Sequence, residues 1–159
     1  MKATKFVYDI HAGTSLSIAI NLTDSLLHGL SIDTKTINFW KRQPTDAKLE
    51  ITRDAMKLDD ALSSLTQFIE KSEPELTLWC RGSSFDFPIL KNAYAAVGFT
   101  EPWKYWQERD MRTILHMCKH FFGYAEPSKN GTAHSAHDDC IHQIGVLSQC
   151  VNLIRGLQK

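Results

Sequence analysis

Two acidic residues and one histidine stand where their side chains can take part in hydrolytic chemistry. Asp86 follows the apolar, β-prone run 76–80 and a Gly-Ser break, and it precedes Pro88. A strand end of this kind presents a carboxylate to a cleft. His134 lies five residues before Asp139, at the start of a long apolar-striped segment. A loop imidazole and a first-turn carboxylate can converge on one ligand, so the pairing predicts acid–base and metal chemistry.

The segments on either side of Asp86 predict a strand–loop–helix unit. We expect a helix over 58–71, a strand over 76–80, and a second helix that begins at Pro88 and ends at Gly98. The buried face of the second helix follows helical spacing, at Leu90, Ala93, Tyr94 and Val97. This arrangement places Asp86 at the junction between the strand and the helix.

Asp139 is predicted to lie on a long C-terminal helix. The inward stripe of that helix is spaced by three and four residues, at Cys140, Ile144, Leu147, Val151 and Ile154. Upstream, residues 111–122 predict a helix that ends at Gly123, and residues 124–132 predict a mobile loop that can close over a substrate. Asp110, just before residue 111, has two interpretations, a helix N-cap or a member of the site.

The N-terminal part predicts strands within 5–10 and 17–22 that form an antiparallel hairpin. A short helix over 36–40 follows, with Ser31 or Asp33 as its cap. Three apolar residues of this segment are expected to pack on the core: Ile37, Phe39 and Trp40. Strands followed by β–α units predict an α/β domain with a mixed sheet.

Composition limits the class of protein. The 159 residues are 43% hydrophobic and 23% charged, which suits one globular domain over 1–159. The formal net charge is zero, so a surface for nucleic acid must be a local patch. The sequence shows no run near the roughly 20 apolar residues of a membrane span. A soluble, cytoplasmic protein without membrane contact is expected.

The cysteines are interpreted as small core residues of a reducing compartment. They are spread along the chain without a Cys-x-x-Cys pair, at Cys80, Cys118, Cys140 and Cys150. A zinc site from His116, Cys118 and His120 is set aside, because positions i, i+2 and i+4 do not share one helix face.

Five further polar and aromatic residues have two interpretations each. His137, Asp138 and His142 lie at helical spacings and either support the site or form a solvated surface cluster. Trp103 and Trp106, in the aromatic stretch 101–106 with Lys104 and Arg109 close by, either cover the core or stack on nucleic-acid bases.

Three short motifs resemble those of a known family. They are Gly-x-x-Phe-Asp at 82–86, Arg-Asp-Met-Arg-Thr at 109–113 and His-x-Ala-x-x-Asp at 134–139. In this order they resemble the DEDDh group of 3′–5′ exonucleases, in particular its small phage and bacterial branch described as exoribonuclease-like. The resemblance implies a ribonuclease-H-like fold, in which a mixed sheet is flanked by helices and a long helix comes last.

The resemblance also implies an activity. Members of this group hydrolyse phosphodiesters at the 3′ end of single-stranded RNA or DNA, with two Mg²⁺ or Mn²⁺ ions that activate water and neutralise the leaving oxygen. In this chain Asp86 and Asp139 match the metal-binding carboxylates, and His134 matches the base.

The family's first motif, Asp-x-Glu, has two alignments here. In one, Asp9 is the first Asp and His11 stands in place of Glu. In the other, the chain starts at the family's second strand and is N-terminally truncated relative to the family. Asp9 is therefore the fourth site candidate. The Glu is missing in both alignments, so few carboxylates remain to hold two metal ions. An exonuclease could therefore be weakly active, and the alternative is an inactive module that binds nucleic acid or a protein partner.

The second alignment, in which the family's first strand is absent, predicts a gap in the sheet beside residues 76–80. Unpaired strand groups are costly when buried and act as a template for pairing. We expect residues 6–10 to fill the gap within the chain, which would bring Asp9 near Asp86. A symmetric homodimer is the alternative.

Overall fold

The computed structural model describes residues 4–9 as backbone, together with residues 14–72, 75–129 and 135–156. These residues form four strands and seven α-helices. In chain order they are β1 (Thr4–Asp9), β2 (Thr14–Ala19), α1 (Leu22–Leu27), α2 (Thr34–Lys41), α3 (Thr45–Glu50), α4 (Leu58–Glu70), β3 (Leu78–Cys80), α5 (Ser83–Ala96), β4 (Glu108–Asp110), α6 (Met111–Phe122) and α7 (Ala136–Arg155). The predicted α/β class and long C-terminal helix are confirmed. Within the described ranges no helix is both long and apolar enough to span a membrane.

The strands form two small sheets in place of the single mixed sheet that was predicted. β1 pairs antiparallel with β2, from Thr4 opposite Ala19 to Asp9 opposite Thr14, which confirms the hairpin. β3 pairs in parallel with β4, with Trp79 opposite Arg109. The placement of residues 6–10 beside β3 is therefore wrong, because in the described strands β1 is bonded to β2 and β3 to β4.

Side-chain caps explain where several helices begin. The carboxylate of Asp33 accepts the N–H of Thr36 at 3.0 Å, so Asp33 is the cap of α2, as one of the two alternatives proposed. Asp24 on α1 reaches across the fold and accepts the N–H of Leu58 at 2.7 Å, which satisfies a free amide at the start of α4. Gly123 ends α6 in the left-handed conformation, with φ 63°, as predicted.

The first core cluster joins α4, α5 and the segment after α5. Its buried side chains are Leu58, Leu62, Leu65, Ile69, Phe87, Ala93, Tyr94 and Trp103. Trp103 packs edge-on against Tyr94, with ring centroids 5.6 Å apart. The Tyr94 hydroxyl lies 3.0 Å from Thr66 Oγ1, so this fully buried phenol is also hydrogen-bonded.

The second core cluster joins α6 to α7. Its buried side chains are Met111, Leu115, Cys118, Val146 and Cys150. Cys118 and Cys150 are fully buried and free of disulfide bonds, and the Cys118 thiol lies 3.7 Å from the Cys150 carbonyl oxygen. Burial, followed by the contact with Cys118, raises the pKa of the Cys150 thiol to about 11.

One packing prediction is wrong and another is correct only in part. Ile37 and Phe39 on α2 are 38% and 36% exposed, although they were expected in the core. On α7 the buried residues are Val146 and Cys150, whereas the predicted stripe from Cys140 to Ile154 is only half-buried. Because α7 packs against both α6 and the β1 strand, its apolar surface is broader than one stripe and spacing alone does not define its centre.

Candidate active site

Asp86 lies in the first turn of α5, not in a loop before the helix. The helix begins at Ser83, five residues earlier than the predicted start at Pro88. Gly82 precedes it with φ 125°, a conformation that side chains rarely adopt. The Arg112 guanidinium of α6 lies beside Gly82, where an added Cβ would make only ordinary contact at 3.7 Å, so the backbone conformation rather than lack of space calls for glycine. Asp86 is half-buried, beside the strand end that sets its position.

Asp139 lies in the first turn of α7, as predicted. Ser135 caps this helix, since its hydroxyl accepts the N–H of Asp138 at 3.3 Å. The Lys129 ammonium, at the end of the preceding segment, is 2.5 Å from Asp139 Oδ1. The carboxylate is 33% exposed and the lysine 23%, so this ion pair is partly shielded from solvent.

The other two predicted site residues have side chains outside the described part of the chain. His134 falls in the range 130–134 and lies outside it altogether. For Asp9 the backbone alone is described, at the end of β1 and opposite Thr14. Their roles as base and fourth carboxylate remain predictions.

A polar network connects the segment before Asp86 to the helix that carries Asp139. The Arg81 guanidinium donates to both carboxylate oxygens of Glu126, at 2.6 and 2.9 Å. His142 Nε2 lies 3.3 Å from Glu126 Oε1, and both side chains are more than four-fifths buried. Two parallel bonds hold an arginine and a carboxylate in a defined orientation. Arg81 stands just before Gly82, and His142 is one turn beyond Asp138, so Glu126 joins the two candidate segments.

Glu126 is held in its charged form. The hydrogen bonds from Arg81 lower the pKa of its carboxyl below the ordinary value and outweigh the opposing effect of burial, with His142 and Lys119 adding to the decrease. Sequence analysis missed Arg81 and Glu126, although the position of Arg81 beside the glycine motif was a usable signal. The contact of His142 with Glu126 and its 14% exposed side chain exclude a solvated position, and its role as a support of the site stays a prediction.

The Asp110 carboxylate makes a second connection, between the starts of α5 and α6. One carboxylate oxygen accepts the Thr113 N–H at 3.0 Å and the Thr113 hydroxyl at 2.8 Å, so the N-cap interpretation is confirmed. The other accepts the N–H of Ser83 at 3.2 Å. Burial raises the pKa of the Asp110 carboxyl, but the bonds from Thr113 and Ser83 outweigh it and the net pKa is lowered. One side chain therefore fixes the starts of both α5 and α6.

Glu50, at the end of α3, reaches the start of α7. Its Oε1 accepts the Ser135 hydroxyl at 3.1 Å, across 85 positions of sequence. The cap of the helix that carries Asp139 is thus held by the N-terminal part of the protein. No sequence pattern predicted this contact, because α3 is too short to show a clear helical period.

Carboxylate oxygens suit Mg²⁺ and Mn²⁺, so the donor type of Asp86 and Asp139 fits such ions. Across 14–72, 75–129 and 135–156, however, no three His, Cys, Asp or Glu side chains are grouped to hold a metal ion. The described residues alone do not make up a metal centre.

The chain is an α/β protein in which the candidate acids lie at the starts of α5 and α7. Residues 3–151 match the family model of the 3′-5′ exoribonuclease Rv2179c-like domain, and the chain belongs to this family. It is also 27% identical over 151 residues to the exodeoxyribonuclease of Enterobacteria phage T4. That alignment covers 77% of this chain and 65% of the phage protein, less than two thirds of its length. No solved structure matches the chain.

Proposed function

We propose that the protein is a 3′–5′ exonuclease that removes nucleotides from the 3′ end of single-stranded RNA or DNA. The observation that carries the proposal is the Arg81–Glu126–His142 network, which joins the segments bearing the family-motif acids Asp86 and Asp139. A catalytic constellation on two helices needs a connection of this kind, since small displacements of the reacting groups cost much of the rate. The name of the family supports the reaction class.

The proposed cofactor is Mg²⁺ or Mn²⁺, held by Asp86 and Asp139 with Asp9 as a further ligand. Such an ion supplies an activated water and neutralises charge on the leaving oxygen. His134 is the proposed base that accepts the proton of the water. A bound ion would have to displace Lys129, because its ammonium lies 2.5 Å from Asp139 Oδ1.

The test uses end-labelled single strands of RNA and of DNA, incubated with the purified protein and Mn²⁺ or Mg²⁺. Asp86→Asn and Asp139→Asn should each lower nucleotide release by more than about 100-fold, since even outer-shell partners of metal ligands are worth 10–100-fold. Asp60→Asn is the matched control, because Asp60 is also an acid in the first turn of a helix, on α4. Release that survives both site substitutions would refute the proposal.

A second function is favoured by a specific observation. The Lys129 ammonium already neutralises Asp139, and the described residues contain no three-ligand group. An inactive module that binds nucleic acid or a protein through the same surface agrees with both. Calorimetry with Mn²⁺ separates the two: heat that disappears in Asp139→Asn supports the exonuclease, and no heat from the wild-type protein supports the inactive module.

A further inference from the structure

Two aromatic rings stand in solvent on a short 3₁₀ turn before β4. Tyr105 is 76% exposed and Trp106 is 59% exposed. Their centroids are 5.1 Å apart and the ring planes cross at 85°. By contrast, Trp103 two residues earlier is 5% exposed and lies in the first core cluster. The core interpretation is therefore correct for Trp103 and wrong for Trp106.

The exposed rings continue onto one face of the small parallel sheet. Trp79 and Arg109 are opposite one another in the register, so their side chains leave the same face. Leu78 and Cys80 leave the other face, where they pack against the first core cluster. Trp79 is 40% exposed, which shows that its face is not covered by the core.

The turn that carries the rings is held rigidly. The Arg109 guanidinium donates to the carbonyl oxygens of Trp106 and Glu108, at 2.5 and 2.9 Å. The Gln107 side chain donates to Leu76 O at 2.9 Å and accepts the Lys104 N–H at 2.7 Å. These bonds fix the backbone of the turn, so the two rings are presented to solvent on an ordered support.

We propose that this surface, the aromatic platform of Trp79, Lys104, Tyr105, Trp106 and Arg109, binds single-stranded nucleic acid by stacking its bases. Bases of any sequence stack on exposed aromatic rings, and neighbouring cations attract the phosphates. The platform contains two cations, and the acid in the same run, Glu108, is 17% exposed and paired with Lys91, in a protein whose formal net charge is zero. This local complementarity to a polyanion favours nucleic acid over a protein partner.

The position of the platform relates it to the proposed function, on which this inference rests. β3 and β4 run in parallel from the platform, and the segments that follow them carry Asp86 and Asp110. A strand whose 3′ end lies at the candidate site would pass over the platform with its upstream nucleotides. The platform thus supplies affinity for the polymer and plays no part in cleavage of the terminal bond.

The experiment measures fluorescence anisotropy of labelled 15-nucleotide oligo-dT and oligo-U in the presence of EDTA, which prevents hydrolysis. Tyr105→Ala and Trp106→Ala should each weaken binding by about tenfold, the lower part of the range for one stacked base. Lys104→Ala should lower the slope of log affinity against log salt by about one. Phe121→Ala, which removes a ring 67% exposed on α6, is the matched control and should bind as the wild type does.

Two outcomes would overturn the inference. One is oligonucleotide affinity that is absent, or unchanged in the Tyr105→Ala/Trp106→Ala double variant. The other is light scattering that shows a dimer of the wild type and a monomer of the double variant, which would make the platform an interface between copies. Circular dichroism of each variant is the check that it is folded.

Failure of the proposed exonuclease would be seen separately. Hydrolysis of thymidine 5′-monophosphate p-nitrophenyl ester measures phosphodiester cleavage in a substrate that has no upstream bases to stack on the platform. Phe121→Ala should leave this rate unchanged, while Asp139→Asn should remove it. If the wild type cleaves nothing, binding in EDTA still decides whether the platform holds nucleic acid.

Discussion

The two core clusters differ in size and in chemistry. The first contains three aromatic rings and four long aliphatic side chains, and supports α5 with Asp86. The second is smaller, is rich in sulfur and supports α7 with Asp139. Each candidate acid is thus fixed to its own apolar cluster. The polar side chains that join the clusters, Glu126 and Asp110, set how one acid lies relative to the other.

We expect the apolar clusters to determine the stability of the fold, and the polar connections to determine the relative orientation of the candidate acids. Apolar burial is the larger source of stabilisation, and it acts inside each cluster. A bidentate ion pair contributes less free energy but fixes the relative orientation of its two side chains. Substitutions in the clusters should therefore unfold the protein, whereas substitutions in the connections should leave it folded and disturb the candidate site.

The largest effect is expected for Trp103→Ala in the first cluster. Removal of this 5% exposed ring, with its contacts to Tyr94 and Phe87, should lower the free energy of unfolding by about 3–5 kcal/mol. Urea denaturation followed by circular dichroism measures the loss. Trp106→Ala is the control, because its ring is 59% exposed and should cost less than about 0.5 kcal/mol. Equal losses in the two variants would contradict the assignment of the core.

A smaller effect is expected for Glu126→Gln in the connection between the clusters. Bonds to a charged group contribute about 1.5–3 kcal/mol, but the Arg81 side chain is 36% exposed, so about 1–2 kcal/mol should be lost. Nucleotide release should fall by a larger factor than the smaller fraction of folded protein would cause, because Glu126 no longer holds the two candidate segments together.

Lys91→Met is the matched control for this comparison. The Lys91–Glu108 pair is also 2.6 Å long and its lysine is 39% exposed, but it joins α5 to β4 and does not reach α7. Its loss should leave nucleotide release unchanged. A double-mutant cycle of Arg81→Met and Glu126→Gln should give a coupling energy near about 1 kcal/mol. A coupling of zero would show that the network does not hold the segments together.

Asp110→Ala tests the second connection, with Asp33→Ala as the comparison. Both aspartates cap a helix, but Asp110 also accepts the Ser83 N–H of another element. Loss of a cap costs about 1 kcal/mol, and Asp110→Ala should exceed Asp33→Ala by several tenths of a kcal/mol. Thermal denaturation of the two variants supplies the numbers. A smaller cost at Asp110 would rule out a stabilising role for the Ser83 bond.

The smallest effect should appear in the dependence of stability on pH. Because the folded pKa of Glu126 is lowered from 4.5, its charged form contributes stability that is present above pH 4.5 and is lost as the pH falls through the folded pKa. Unfolding free energy below pH 4.5 should therefore decrease less steeply in Glu126→Gln than in the wild type.

Local signals in the sequence predicted the elements that local physics determines. The cap at Asp33, one of two alternatives, the Gly123 helix end and the helix that becomes α4 were each visible in a few neighbouring residues, and each is confirmed. Asp139 was placed correctly in the first turn of α7 for the same reason. These features depend on contacts three or four residues apart, which spacing reveals.

Contacts between distant residues were not predictable in this way. The strand β4 has three polar residues and no alternating pattern, so it was missed. The start of α5 was placed at Pro88, because proline is common at the first position of a helix, while the true start depends on Gly82 and on Asp110 from another element. The Arg81–Glu126 pair spans 45 positions, and no local rule connects its members.

The two buried thiols of the second cluster can report how often the helix pair α6–α7 opens. With the Cys150 pKa near 11, about one thiol in a thousand is ionised at pH 8, and the side chain is fully buried. Alkylating reagents react with the thiolate, so Cys118 and Cys150 should be labelled only when α6 and α7 separate. The labelling rate of these cysteines would therefore count openings of the helix pair in the native protein, without denaturant and without any substrate.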